Sequence, residues 1–218
     1  MKKIMIVLSV VVPLLSHAQN IIYVTNLGDA PGGSTAIGNN SWIAQEFTWE
    51  GTFVNGTETT PNLTLNSVQL LMDSASGNPS GFTVSIYSSH DNLLLGDSLG
   101  TLSGSSNPSS AGIYTYTTPG ITLSPATSYF VAVTAATPTS QGAYNWSFVA
   151  APGDEIANSN LVINDIYYGS SDGSSWTEHL RQEVFQMAIY GTPIPEPQSA
   201  ALLGLGTFCF RFWRRPRK

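Results

Sequence analysis

The stretch "GDSLG", residues 96–100, satisfies G-x-S-x-G and offers Ser98 as a nucleophile. Acyl-transfer chemistry would require Ser98 on a sharp strand-to-helix turn, a histidine base and a carboxylate to orient that base. The surrounding sequence does not supply this context. "TLSG" continues as strand and turn rather than helix, and His179 in "WTEH" has no aspartate three residues before it. His90 and His179 are the only histidines after the N-terminal segment. They form no H-x-H or H-x-x-x-H pair and have no cysteine partner, so transition-metal spacing is absent. A calcium ion is the one cofactor for which ligands can be named. Glu155, Asp165 and Asp172 carry oxygens suited to a hard cation, although no D-x-D-x-D-G run exists. No cofactor is therefore expected. Trp42, Trp49, Trp146 and Trp176, with several tyrosines, could stack on sugar rings. They could equally fill a β-core, where Trp and Phe occupy alternate positions.

The elements that must position these residues are strands. "GFTVSIYSS" puts Phe82, Val84 and Ile86 on one face. "LTLNSVQLLMD" puts Leu63 and Leu65, then Val68, Leu70 and Met72, on one face after a bulge at Asn66-Ser67. "SYFVAVTA", "EVFQMAIYG", "IYTYTT" and "WIAQEFTW" alternate in the same way. Turn compositions such as "SGNPSG", "SGSSNPSSAG" and "LSPATS" separate them. The pattern predicts nine to eleven short strands in an all-β fold, an antiparallel two-sheet β-sandwich with jelly-roll or Greek-key connections, with a closed barrel as the runner-up. The best helical candidate is the short "SWTEHLRQE". Two long loops are expected, at residues 26–41 and 150–175, and both could carry a binding function.

Composition narrows the partners. Charged residues make up 10% of the chain, against roughly 25% in an average soluble protein. Between residues 19 and 194 thirteen carboxylates face a single cation, Arg181, for a net charge of −12. Nucleic acid is excluded as a partner, because binding it depends on Lys and Arg neutralising phosphates. The only cysteine is Cys209, so this body has no internal disulfide and must stand on its packing.

Both ends read as processing segments. Lys2 and Lys3 precede an apolar run of about a dozen residues, too short to span a bilayer as a stable helix. Ser16-His17-Ala18 then places small residues at the −3 and −1 positions, predicting signal-peptide cleavage between Ala18 and Gln19. Signal peptidase is thus an expected partner. At the other end, residues 200–210 are apolar, and Phe212-Trp213 extends the run past Arg211. Fourteen residues give roughly 21 Å of helix, short against a hydrocarbon core of about 30 Å. Arg211, Arg214, Arg215, Arg217 and Lys218 would stay cytoplasmic, so the two ends agree on a body outside and a tail tip inside. The predicted organisation is a signal peptide at 1–18, a β-sandwich at 19–192 and a sorting segment with a short transmembrane helix at 193–218.

The triplet Pro195-Glu196-Pro197, the apolar run and the terminal arginine cluster together resemble the PEP-CTERM protein-sorting signal of Gram-negative bacteria. That resemblance implies recognition of Pro195, Glu196 and Pro197 by an exosortase. It also implies transient inner-membrane insertion halted by the basic cluster, then delivery to the cell surface or extracellular polysaccharide. The apolar run is shorter than is typical of that signal, and Arg211 intrudes into it. The body strings "AQEFTWEG", "LNSVQLLM", "SGFTVSIYSS", "LGTLSG", "YTYTTPGITLSPATSYFVAVTA" and "FQMAIYGTPIPEP" are similar to choice-of-anchor β-domains, in particular the R type. Here "GDSLG" falls where that family has a strand, against a GDSL-like hydrolase. The expectation is an exported structural or adhesive protein without catalysis, with a carbohydrate-binding module acting on extracellular polysaccharide as the alternative.

Overall fold

The computed structural model describes residues 21–90, 94–150, 160–180 and 183–194. These residues form strands and connecting loops only. The signal-peptide junction Ala18-Gln19, the triplet Pro195-Glu196-Pro197, the basic cluster and the C-terminal helix lie outside the described residues.

Two antiparallel sheets share one hydrophobic core. The first sheet is built on β6 (Leu63–Gly77). One edge of β6 pairs with β9 (Gly112–Leu123). The other pairs first with β15 (Met187–Pro193) and then, beyond Leu70, with β11 (Gly142–Val149). β1 (Ile21–Thr25) flanks β15, and β2 (Gly33–Ile37) flanks β11. β14 (Val184–Phe185) pairs with the end of β11. The second sheet runs β13-β12-β3-β10-β7-β8. Its strands are β3 (Trp42–Trp49), β7 (Thr83–His90), β8 (Leu94–Thr101), β10 (Thr127–Thr134), β12 (Leu161–Ser170) and β13 (Thr177–Leu180). A two-residue Asn55-Gly56 turn joins β4 (Phe53–Val54) to β5 (Thr57–Glu58). Both turn residues have positive φ, 52° and 79°, as a type I′ hairpin requires.

The alternation read from the sequence is the alternation of the core. Leu63, Leu65, Val68, Leu70 and Met72 are buried together, as are Phe82, Val84 and Ile86, and Phe185, Met187 and Ile189. The phase change within β6 falls at Asn66, where the registers with β9 and β15 both shift. Four expectations need correction. The described residues hold fifteen strands rather than nine to eleven, because short pieces such as β4, β5 and β14 pair beside turns and breaks that alternation does not mark. "SWTEHLRQE" supplies a strand, β13, because Tyr167 and Tyr168 of β12 offer it an open edge with Tyr167 opposite His179. The expected 26–41 loop contains β2, whose small residues complete the edge of β11. The expected 150–175 loop contains β12. Its alternation is hidden because Asn164–Ile166 bulge out of register between Ile163 and Tyr167.

A buried amide joins the two sheets across that bulge. Gln45, on the core side of β3, donates from Nε2 to the carbonyls of Asn164 (2.7 Å) and Ile166 (2.9 Å). Its Oε1 accepts the Phe185 N–H of the opposite sheet at 2.9 Å. A second polar knot closes the break between β14 and β15. Asn26 donates to Phe185 O and accepts from Met187 N, while the Gln186 carbonyl accepts from the Leu71 N–H and the Trp146 indole. Backbone groups at the bulge and the break thereby receive side-chain hydrogen bonds.

The register also gives the sandwich two distinct ends. Trp42 lies opposite Ser170, and Trp49 lies opposite Leu161. Seven strand steps separate the two tryptophans, roughly 23 Å. Ile21 pairs with Gly191, and Ile194 donates to Asn62 O at 2.8 Å, beside the Pro61 carbonyl that accepts the Trp49 indole. The described chain therefore enters and leaves at the Trp49 end.

Candidate functional site

A cleft of about 440 Å³ opens at the Trp42 end, beside the edge strand β13. It is lined by Ile43, Gly169, Thr177 and His179 together with Asn40, Ser41, Trp42 and the serines at 170, 171 and 175. The two segments expected to be long loops meet here, one at each wall. Each wall is held by its own hydrogen bonds. Gly38 and Ser41 exchange backbone bonds across a tight turn, and Asn40 Oδ1 accepts from Thr139 N at 2.9 Å. In the other wall Asp172 Oδ1 accepts from the N–H groups of Ser174 and Ser175, both at 2.8 Å. These backbone donors from Ser175 and Ser174 hold the Asp172 carboxyl down to about 2.

Trp42 is half-buried, and its indole N–H donates to Asn39 O at 3.0 Å. Gly173 lies against the ring: its φ is +74°, and a Cβ there would stand 2.7 Å from the indole. Trp176 meets Trp42 edge-on, with ring centroids 6.2 Å apart at 74°. The pair makes a corner rather than a coplanar strip. His179 stacks parallel on Tyr167 at 4.6 Å, and Gly169 leaves room for the imidazole. Apart from His179 no lining residue carries an ionisable side chain. The cleft thus combines aromatic faces, hydroxyls and an amide, a lining suited to a neutral polar ligand.

The other candidates are not assembled. Ser98 is exposed on β8, opposite Tyr87. His179 lies on the far edge strand of the same sheet, about 24 Å away across five strand spacings. His90 lies at the end of β7 opposite Leu94, about 10 Å further along the hairpin. Neither histidine reaches Ser98. Among the described residues no group of three or more His, Cys, Asp or Glu side chains gathers to hold a metal. Asp165 lies in the β12 bulge and Asp172 beyond the end of that strand, while Glu155 lies outside the described residues. Of the four tryptophans, Trp49 and Trp146 are core residues and Trp42 and Trp176 belong to the cleft end. Sequence reasoning missed Asn40, Ser41, Ser170, Ser175 and Thr177. Their only signal was the density of Asn and Ser beside tryptophan in "NNSW" and "SSDGSSW".

One buried carboxylate stands apart from the cleft. Glu46 is 1% exposed on the outer side of β3, opposite Phe130, and its Oε2 has no hydrogen-bond partner. Burial raises its pKa. Hydrogen bonds from Ser128 and Asn164 oppose that rise, while Glu178 and Asp165 add to it. A carboxyl raised in the folded state costs nothing below its ordinary value of 4.5 and destabilises the fold as pH rises through the shifted value. Glu46→Gln is expected to stabilise the protein by about 1 kcal/mol at neutral pH, allowing for screening on the outer face, and to leave acid stability unchanged. Urea unfolding at the two pH values checks this.

No family model matches the chain, and no curated protein matches its sequence.

Proposed function

We propose that the chain is an exported surface or extracellular-matrix protein with a structural or adhesive jelly-roll or Greek-key-like β-sandwich, trimmed at its C-terminal segment by an exosortase. The observation that carries this reading is the polarity of the domain. β1 begins and β15 ends side by side at the Trp49 end, while the cleft opens at the Trp42 end. A tether leaving at Ile194 would hold the cleft away from the surface to which the tail is fixed. The acidic body supports the same reading, since like charge keeps exported copies soluble and apart. No catalytic step is assigned. Intact-mass measurement of the protein from its producing cells tests the reading. The expected form starts at Gln19 and ends near Pro195-Glu196-Pro197, and alanines at the triplet are expected to leave the tail in place. An intact C-terminus on the unaltered protein overturns it.

A second reading, binding of extracellular polysaccharide, is favoured by the uncharged lining of the cleft. The sugar ring would lie on the Trp42 indole with Asn40 and the serines at its hydroxyls, a neutral glycan in an acidic surround. On a glycan array the full chain is expected to retain neutral polysaccharides and not polyuronates. Trp42→Ala and Ser175→Trp, the second filling the cleft from an exposed position, are each expected to weaken binding about tenfold. Unchanged retention by both variants, with unchanged melting, overturns the glycan reading.

A further inference from the structure

We infer that the β4–β5 hairpin is a membrane-contact element that seats the body on the bilayer while the C-terminal segment is inserted. The inference rests on the sorting reading above. The hairpin follows Trp49, the last residue of β3, and so lies at the end of the sandwich where the chain leaves. Its first strand, leading into the Asn55-Gly56 turn, carries Phe53 and Val54, 60% and 54% exposed. Both are large apolar side chains in a position where the fold could have used polar ones. Ile21 and Ile22, also largely exposed, lie at the same end opposite Gly191 and Tyr190. Four of the seven exposed large apolar residues among those described therefore share the exit end.

The hairpin is not a loose flap. Asn160 Nδ2 donates to Thr52 Oγ1 at 2.7 Å, and the Glu58 carboxylate accepts from the N–H groups of Thr52 (3.0 Å) and Thr60 (2.7 Å). Two residues beyond Thr60, the Asn62 carbonyl accepts the Ile194 N–H. The point of exit and the base of the hairpin are thus one joined structure. Only five residues, 195–199, separate Ile194 from the apolar run. They span no more than about 20 Å when fully extended. With the run inserted, this end of the sandwich must face the bilayer at close range, and the hairpin is an apolar feature it presents there. Lysine and arginine are absent from the described residues, and Glu58 lies opposite Phe53 with Glu50 just before the hairpin. The contact must therefore come from apolar insertion at a zwitterionic surface rather than from attraction to anionic lipid.

The test uses the full chain in phosphatidylcholine vesicles with a polarity-sensitive thiol label and an aqueous quencher. Cys209, the only native thiol, reports insertion of the tail. Val54→Cys and Ser175→Cys, each with Cys209→Ser, report the hairpin and the cleft end. Both engineered positions are exposed, so both variants are expected to fold. The expected result is that vesicles cut quenching at Val54→Cys about fivefold and leave Ser175→Cys unchanged. A protected Cys209 with a Val54→Cys label as accessible as Ser175→Cys overturns the hairpin inference and leaves the insertion reading standing. An accessible Cys209 overturns insertion, and the hairpin inference with it.

Discussion

Replacing Gln45 by leucine is expected to cost about 3–4 kcal/mol of unfolding free energy, although the side chains are similar in volume. Gln45 is fully buried, and its amide serves four backbone groups: the Asn164, Ile166 and Glu46 carbonyls and the Phe185 N–H. Leucine would satisfy none of them. Each orphaned buried group costs about 1–3 kcal/mol, partly relieved where the bulge can reach solvent. Gln45→Glu is expected to be no better, because a carboxylate would face three carbonyl oxygens and offer them no donor. Urea unfolding should show a lower midpoint with an unchanged slope for Gln45→Leu. The melting temperature should fall by about 10 °C for a domain of this size. A loss below about 1 kcal/mol would mean that the bulge repairs itself and that the amide is not what couples the sheets.

That bulge also explains where sequence reading stopped. Alternation was legible wherever a strand keeps phase, as in β7 and β10, and it placed the core residues of both on the correct face. β12 was not legible, because Asn164–Ile166 shift its phase, and "LVINDIYYG" then fits neither a strand nor a helix period. β2 was not legible for a different reason. "GSTAI" has few large apolar side chains, and its strand character comes from an edge of β11 that only the fold supplies. The break at Gln186 divides one expected strand into two pieces serving different neighbours. The cleft was half legible. Both parent segments stood out for their length, but nothing local says that the "NNSW" turn and the serine-rich loop lie across from each other. That proximity follows from Trp42 pairing with Ser170, a contact made across more than a hundred residues.

Trp146→Ala is expected to be the most damaging of the four tryptophan truncations. The side chain is fully buried, its ring centroid lies 4.7 Å from that of Phe185, and its indole N–H donates to the Gln186 carbonyl at 3.0 Å. Removing a ring of this size from a packed core costs about 3–5 kcal/mol. Trp42 is half-buried at the end of a strand, so Trp42→Ala should cost under half as much and act mainly on the cleft. The location matters as well as the magnitude. Trp146 packs where the last strand kinks from β11 toward β6, and β15 then carries the chain directly to its exit at Ile194. With no disulfide to hold them, β15 and its neighbour β1 depend on this packing. Hydrogen exchange should show protection lost first along β1 and β15 in Trp146→Ala, with the centre of β3 and β10 retained. Uniform loss across both sheets would instead mean that Trp146 supports the whole core and that the exit strand has no separate stability.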